Sequence, residues 1–81
     1  MSLKLQLISR TYCHLCDEMV AALSPLSEAF GFEVEVIDVD ADPTLEARYN
    51  ESVPVLLHAG NVLCYHFLDV AKLRDYLSKI R

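Results

Sequence analysis

Cys13 and Cys16 stand three residues apart in Tyr12-Cys13-His14-Leu15-Cys16, and this C-x-x-C spacing is the strongest chemical signal in the chain. In the first turn of a helix, residues three apart return to the same side at roughly 5–6 Å, within reach of a disulfide. The reactive form of cysteine is the thiolate, which a helix N-terminus favours through its unpaired N–H groups and its dipole. A pair so placed predicts thiol–disulfide exchange. The Cys13 thiolate attacks a substrate disulfide, and Cys16 resolves the mixed disulfide, leaving Cys13–Cys16 oxidised.

The same residues admit other chemistry. With Cys64 and one of His14, His58 and His66 they would supply a Cys₃His zinc set, although the second cysteine pair usual in structural zinc sites is missing. A metal carrier is therefore one alternative, and a binding module that does no chemistry is another. Cys64 by itself reads as a small buried hydrophobe. His66 or His14 either lends positive charge to the Cys13 thiolate or is an ordinary partly exposed histidine. Asp17 and Glu18 read as acids favourable in a first helical turn, with a raised thiol pKa as the alternative reading. Tyr12 is either a substrate contact or packing beside a turn.

The elements that must position the pair follow from periodicity. Leu3 to Ile8 alternates apolar and polar and then turns apolar, as a partly buried strand does. Met19, Val20, Leu23, Leu26 and Phe30 recur at helical spacing, with Gly31 as C-terminal stop. Pro25 lies inside that stretch, which predicts a kink or break near residues 21–24. Glu33 to Asp40 is rich in β-branched residues and predicts a second strand, whose acids keep an edge or its ends soluble. Asp42-Pro43 opens a short helix to about Tyr49.

Val55 to His58 and Val62 to Phe67 predict a hairpin closed by Ala59-Gly60-Asn61. That register sets residue 64 opposite 56 and 66 opposite 54, with Cys64 and His66 on one face and His66 near the cysteine pair. Asp69 caps a last helix with Val70, Leu73, Leu77 and Ile80 on one stripe. The order βαβαββα gives an α/β fold, a four-stranded mixed sheet flanked by three helices. Its first two strands are parallel through a right-handed crossover, and its last two are antiparallel.

Composition narrows the field further. The 81 residues, 53% hydrophobic, form one small domain spanning 1–81, too apolar to be disordered. Two glycines, Gly31 and Gly60, exclude the clustered glycines of a Walker loop or a dinucleotide fingerprint. Seven Lys and Arg against twelve Asp and Glu give a net charge of −5, which repels phosphate backbones. The basic residues are scattered, with Lys72, Arg74, Lys79 and Arg81 only loosely grouped, so nucleic acid is not an expected partner. No apolar run reaches the length of a membrane span, and Met1 to Ile8 is too short and interrupted for a secretory signal. An odd number of cysteines argues against a secreted disulfide framework, and a cytoplasmic monomer is expected.

On these residues the whole chain resembles a glutaredoxin-like protein of the thioredoxin superfamily. The element order matches that family's minimal fold. Tyr12-Cys13-His14-Leu15-Cys16 occupies the active-site position after the first strand, and Arg10 stands where glutaredoxins usually carry a lysine. Ser52-Val53-Pro54 resembles the Thr-Val-Pro whose proline is cis in the family and packs beside the cysteines. The resemblance implies an oxidoreductase in cell redox homeostasis, acting on protein or glutathione mixed disulfides and served by a reductant system. It implies no cofactor, with glutathione as a co-substrate. Cys13 and Cys16 are then catalytic, and Arg10, Tyr12, Val53 and Pro54 bind substrate. Val53 would offer its backbone to an extended thiol peptide and Arg10 its charge to a carboxylate.

Two departures stand out. His14-Leu15 replaces the usual Pro-Tyr between the cysteines, and Leu63 to Asp69 lacks the Gly-Gly that binds the glutathione carboxylate. Fold and cysteine roles carry over; glutathione as substrate does not. An iron–sulfur cluster bridged between two chains, known in some glutaredoxins, normally also recruits glutathione.

Overall fold

Strand β1 (Leu3–Ser9) is the central organiser of the sheet. It runs parallel to β2 (Phe32–Asp38), with Leu3 opposite Phe32 and Ser9 opposite Asp38. On its other side it runs antiparallel to β3 (Val55–His58), with Ile8 opposite Val55. β4 (Asn61–Tyr65) completes the order β2-β1-β3-β4, so acidic β2 is an edge strand as expected. The structure, a computed structural model, describes residues 3–80; Met1, Ser2 and Arg81, all named in the charge and signal arguments above, lie outside the described residues.

Alternation along β1 assigns the two faces. Leu5 and Leu7, with Leu56 of β3, pack under α1 (His14–Phe30) and α3 (Val70–Ile80), whose Met19, Leu23, Leu73 and Leu77 are buried there. Ile8, Val55 and Leu57 point the other way, onto Val39 and Tyr49, the last residue of α2 (Pro43–Tyr49). Each fully buried leucine or isoleucine on these faces contributes about 1.5–3 kcal/mol relative to exposure, the main force holding helices to sheet. Among the described residues no helix is long and apolar enough to cross a membrane.

Helix α1 is continuous from His14 to Phe30 with Pro25 inside it, so the expected break is absent. Two facts explain this. The carbonyl that loses its partner belongs to Ala21, and both Ala21 and Pro25 are exposed, where water satisfies it. Meanwhile Met19 and Leu23 before the proline and Leu26 and Phe30 after it pack against one core, holding both halves to the same sheet face. Gly31 ends the helix at φ 70°, its N–H donating to the Ser27 carbonyl at 2.9 Å.

Other boundaries shift. β2 stops at Asp38 rather than Asp40, because the Asp38 carboxylate accepts from the Asp40 N–H at 2.9 Å and turns the chain into a 3₁₀ turn over Val39–Ala41. β4 stops at Tyr65 rather than Phe67, because His66 takes φ 63° and the Phe67 N–H folds back to the Tyr65 carbonyl. The hairpin turn contains two residues, Ala59 and Gly60, both at positive φ, as a tight hairpin turn requires. A bulge then inserts Leu63: Leu57 faces Val62, yet Leu56 faces Cys64. The bulge compensates for the shorter turn, so the expected register of 64 opposite 56 holds at the site end of the hairpin. On α3, Leu73 and Leu77 are buried but Val70 and Ile80 stay about 40% exposed, since they lie at the helix ends beyond the sheet's cover.

Candidate functional site

The topology gathers the chemistry at one end of the sheet. β1 ends there at Ser9, antiparallel β3 begins there at Val55, and β4 ends there at Tyr65. The Arg10–Tyr12 turn, the Ser52–Pro54 segment and His66 are therefore neighbours by construction.

Cys13 is the N-cap of α1, in extended backbone (φ −102°, ψ 109°). Its sulfur accepts the Cys16 N–H at 3.1 Å, and its carbonyl accepts from the Asp17 N–H at 3.1 Å. A capping side chain normally satisfies one orphan N–H of the first turn with oxygen; here sulfur does it, and a thiolate in that position gains a charge-assisted bond as well as the helix dipole. Cys16 is wholly buried while Cys13 is partly exposed. The two sulfurs lie at disulfide distance with Cα atoms 5.2 Å apart.

Tyr12 precedes the pair at φ 61° with its side chain fully in solvent. Val53 is half-buried and Pro54 buried, joined by a cis peptide bond. The Pro54 carbonyl accepts from the His66 N–H at 2.8 Å, which ties the segments carrying Pro54 and His66 together. His66, Phe67 and Leu68 form one wall of a groove of about 240 Å³ whose other wall is α1, with Leu15, Glu18 and Met19. His14 reaches Glu18 one turn on, Nε2 to carboxylate 3.3 Å.

The Arg10 guanidinium is paired within the chain. Its Nε and one terminal nitrogen donate to the two carboxylate oxygens of Asp40, each at 3.0 Å, and its other terminal nitrogen donates to the Asn50 carbonyl at 3.2 Å. The Asn50 side-chain oxygen accepts as well. This fork-to-carboxylate pairing, which raises the guanidinium pKa mainly through its hydrogen bond to Asp40, ties β1 to the residues around both ends of α2. Neither Asp40 nor Asn50 was recognisable as Arg10's partner from sequence, since each lies 30 or more positions away. The edge-strand reading of the acids gave Asp40 only a solubility role.

Cys64 is a half-buried free thiol packed against the core under α1 and α3. Burial pushes its pKa up, against the pull of the Asp69 backbone N–H. It behaves as the small hydrophobe expected. Among the described residues, no three of His, Cys, Asp and Glu come together as a ligand group, so Cys64 does not join Cys13 and Cys16 in a zinc set.

Comparison with known proteins agrees with this architecture. Residues 4–78 match the family described as glutaredoxin-like domain (DUF836), and the chain belongs to that family. An uncharacterized protein of Mycobacterium tuberculosis is 32% identical, covering 94% of this chain and 84% of its own. A solution NMR structure of a Nitrosomonas europaea protein superposes with TM-score 0.84 at 40% identity, covering 94% and 92% of the two chains. An X-ray structure of a protein from X. campestris gives 0.72 at 36% identity, covering 93% and 96%. Thioredoxin 1 of Thermosipho africanus gives 0.65 over 96% of this chain and 98% of its own; at 20% identity that likeness shows the thioredoxin-like fold.

Proposed function

We propose that this protein is a dithiol thiol–disulfide oxidoreductase, with Cys13 as nucleophile and Cys16 as resolving thiol. The observation that carries the reading is Cys13 itself: a partly exposed residue whose sulfur caps α1 and accepts the N–H of the buried cysteine three residues on. The Cys13 thiolate attacks one sulfur of a substrate disulfide and expels the other as a thiolate. Cys16 loses its proton, attacks Cys13, and releases the second substrate thiolate. Two electrons pass to the substrate, and the protein is left with one disulfide.

Val53 and Pro54 shape the floor where an extended substrate strand lies, and Tyr12 borders it. A reductant in a reducing compartment such as the cytoplasm, a dithiol protein or the glutathione pool, returns the pair to thiols; the protein itself needs no bound cofactor in this scheme and acts as a monomer. The role of Arg10 in this reading is to hold the loops around the pair through Asp40 and Asn50.

The test is intact mass after equilibration across glutathione redox buffers, with free thiols trapped by alkylation. One two-electron step that joins Cys13 to Cys16, with midpoint roughly between −270 and −180 mV, supports the reading. Thiols that stay unmodified across the series overturn it.

A further inference from the structure

Resting on that redox reading, we infer that the natural substrate is a polypeptide disulfide flanked by apolar and basic side chains, rather than glutathione. Glutathione carries two carboxylates, which a cation beside the nucleophile would favour. The cation nearest in sequence, Arg10, is committed to Asp40 through two 3.0 Å hydrogen bonds and to Asn50. Neither Lys nor Arg lines the groove that starts at Leu15, between the two cysteines. Its rim carries the carboxylate of Glu18, which has the His14 imidazole 3.3 Å away, with Asp17 exposed one residue earlier on α1 and His66 as the other titratable side chain of the lining, in a chain of net charge −5. Such a rim repels an acidic tripeptide and attracts lysine or arginine.

Apart from Glu18 and His66, the groove is lined by the apolar residues Leu15, Met19, Ala22, Phe67 and Leu68. Phe67 on the groove wall is 69% exposed, and Tyr12, adjacent to Cys13, is entirely in solvent. Two solvent-exposed aromatic side chains, one next to Cys13 in the chain and one on the groove that begins at Leu15, are an anchor for apolar residues that flank a disulfide in a longer chain. Electron balance is that of the exchange above: the peptide disulfide becomes two thiols as Cys13 and Cys16 join.

The inference is tested by single-turnover oxidation of the reduced protein, quenched by alkylation and read by intact mass. Four oxidants are compared: a synthetic peptide disulfide with Leu and Lys flanking its cysteines, the same peptide with Glu in place of Lys, glutathione disulfide, and uncharged hydroxyethyl disulfide. The Lys peptide is expected to react about tenfold or more faster than the Glu peptide and glutathione disulfide at low salt, the gap narrowing at high salt. Glu18→Lys should reduce the Lys-over-Glu ratio to near or below one, and Phe67→Ser should slow the Lys peptide. Equal rates for the two peptides, or glutathione disulfide matching the Lys peptide, overturn the substrate class while leaving the redox chemistry in place. If none of the four, hydroxyethyl disulfide included, joins Cys13 to Cys16, the redox reading fails and the inference with it.

Discussion

The backbone N–H of His66 donates to the Pro54 carbonyl at 2.8 Å, one rung beyond the last residue of β4. This bond binds the end of the hairpin to the Ser52–Pro54 segment that leads into β3, and it exists because the Leu63 bulge restores the register that the two-residue turn would otherwise shift. Having made it, the chain leaves the sheet at once, with His66 at φ 63°. The result is a groove wall, His66 to Leu68, set opposite the first turns of α1.

His66 is therefore a conformational position before it is a chemical one. His66→Asn should keep the fold at nearly unchanged stability, because Asn tolerates the left-handed region. His66→Val should lose about 1–2 kcal/mol in urea denaturation, since a β-branched side chain crowds the following carbonyl there.

The three cysteines should separate cleanly in exchange assays. Cys13→Ser abolishes turnover, and Cys16→Ser accumulates a stable mixed disulfide at Cys13, visible as an added mass. Cys64→Ser retains turnover, because that thiol lies in the core beneath α1 and α3 and outside the exchange path. An inactive but folded Cys64→Ser variant would refute the assignment.

Cys64 also predicts an alkaline loss of stability. Its pKa is raised in the folded state by burial, so the native protein holds the thiol proton where the unfolded chain releases it. Stability from this group is complete below the ordinary thiol pKa and declines as pH rises through it toward the raised folded value. Denaturation midpoints from neutral to alkaline pH should fall more steeply for the parent than for Cys64→Ala, and iodoacetamide should label Cys64 slowly at neutral pH.

Pro25 should be replaceable with gain. Pro25→Ala restores the hydrogen bond to the Ala21 carbonyl on an exposed helix face, and is expected to stabilise the protein by roughly 1–3 kcal/mol, less than the full interior-proline cost because proline also restricts the unfolded chain. Chemical denaturation measures it; a lower midpoint in the variant would show that the proline serves the native packing.

Local chemistry made much of this protein legible from its residues. Alternation marked β1, helical spacing marked α1 and α3, and Asp42-Pro43 and Asp69 marked the caps where their carboxylates do accept N–H groups of the first turn. The C-x-x-C spacing placed two sulfurs at disulfide distance as soon as a helix began at Cys13, because helix geometry over three residues is independent of the rest of the chain. What the tertiary structure decided involved competition between distant groups. Whether Pro25 breaks α1 depends on core contacts before and after it; where β2 and β4 end depends on the hydrogen bond from the Asp40 N–H to the Asp38 carboxylate and on the positive φ of His66. Arg10 becomes a clamp and not a free cation only because the fold brings Asp40 and Asn50, 30 and 40 residues away, within hydrogen-bonding distance of one guanidinium. Hydrogen bonds and burial between remote segments have no period in sequence, so only the folded chain could reveal them.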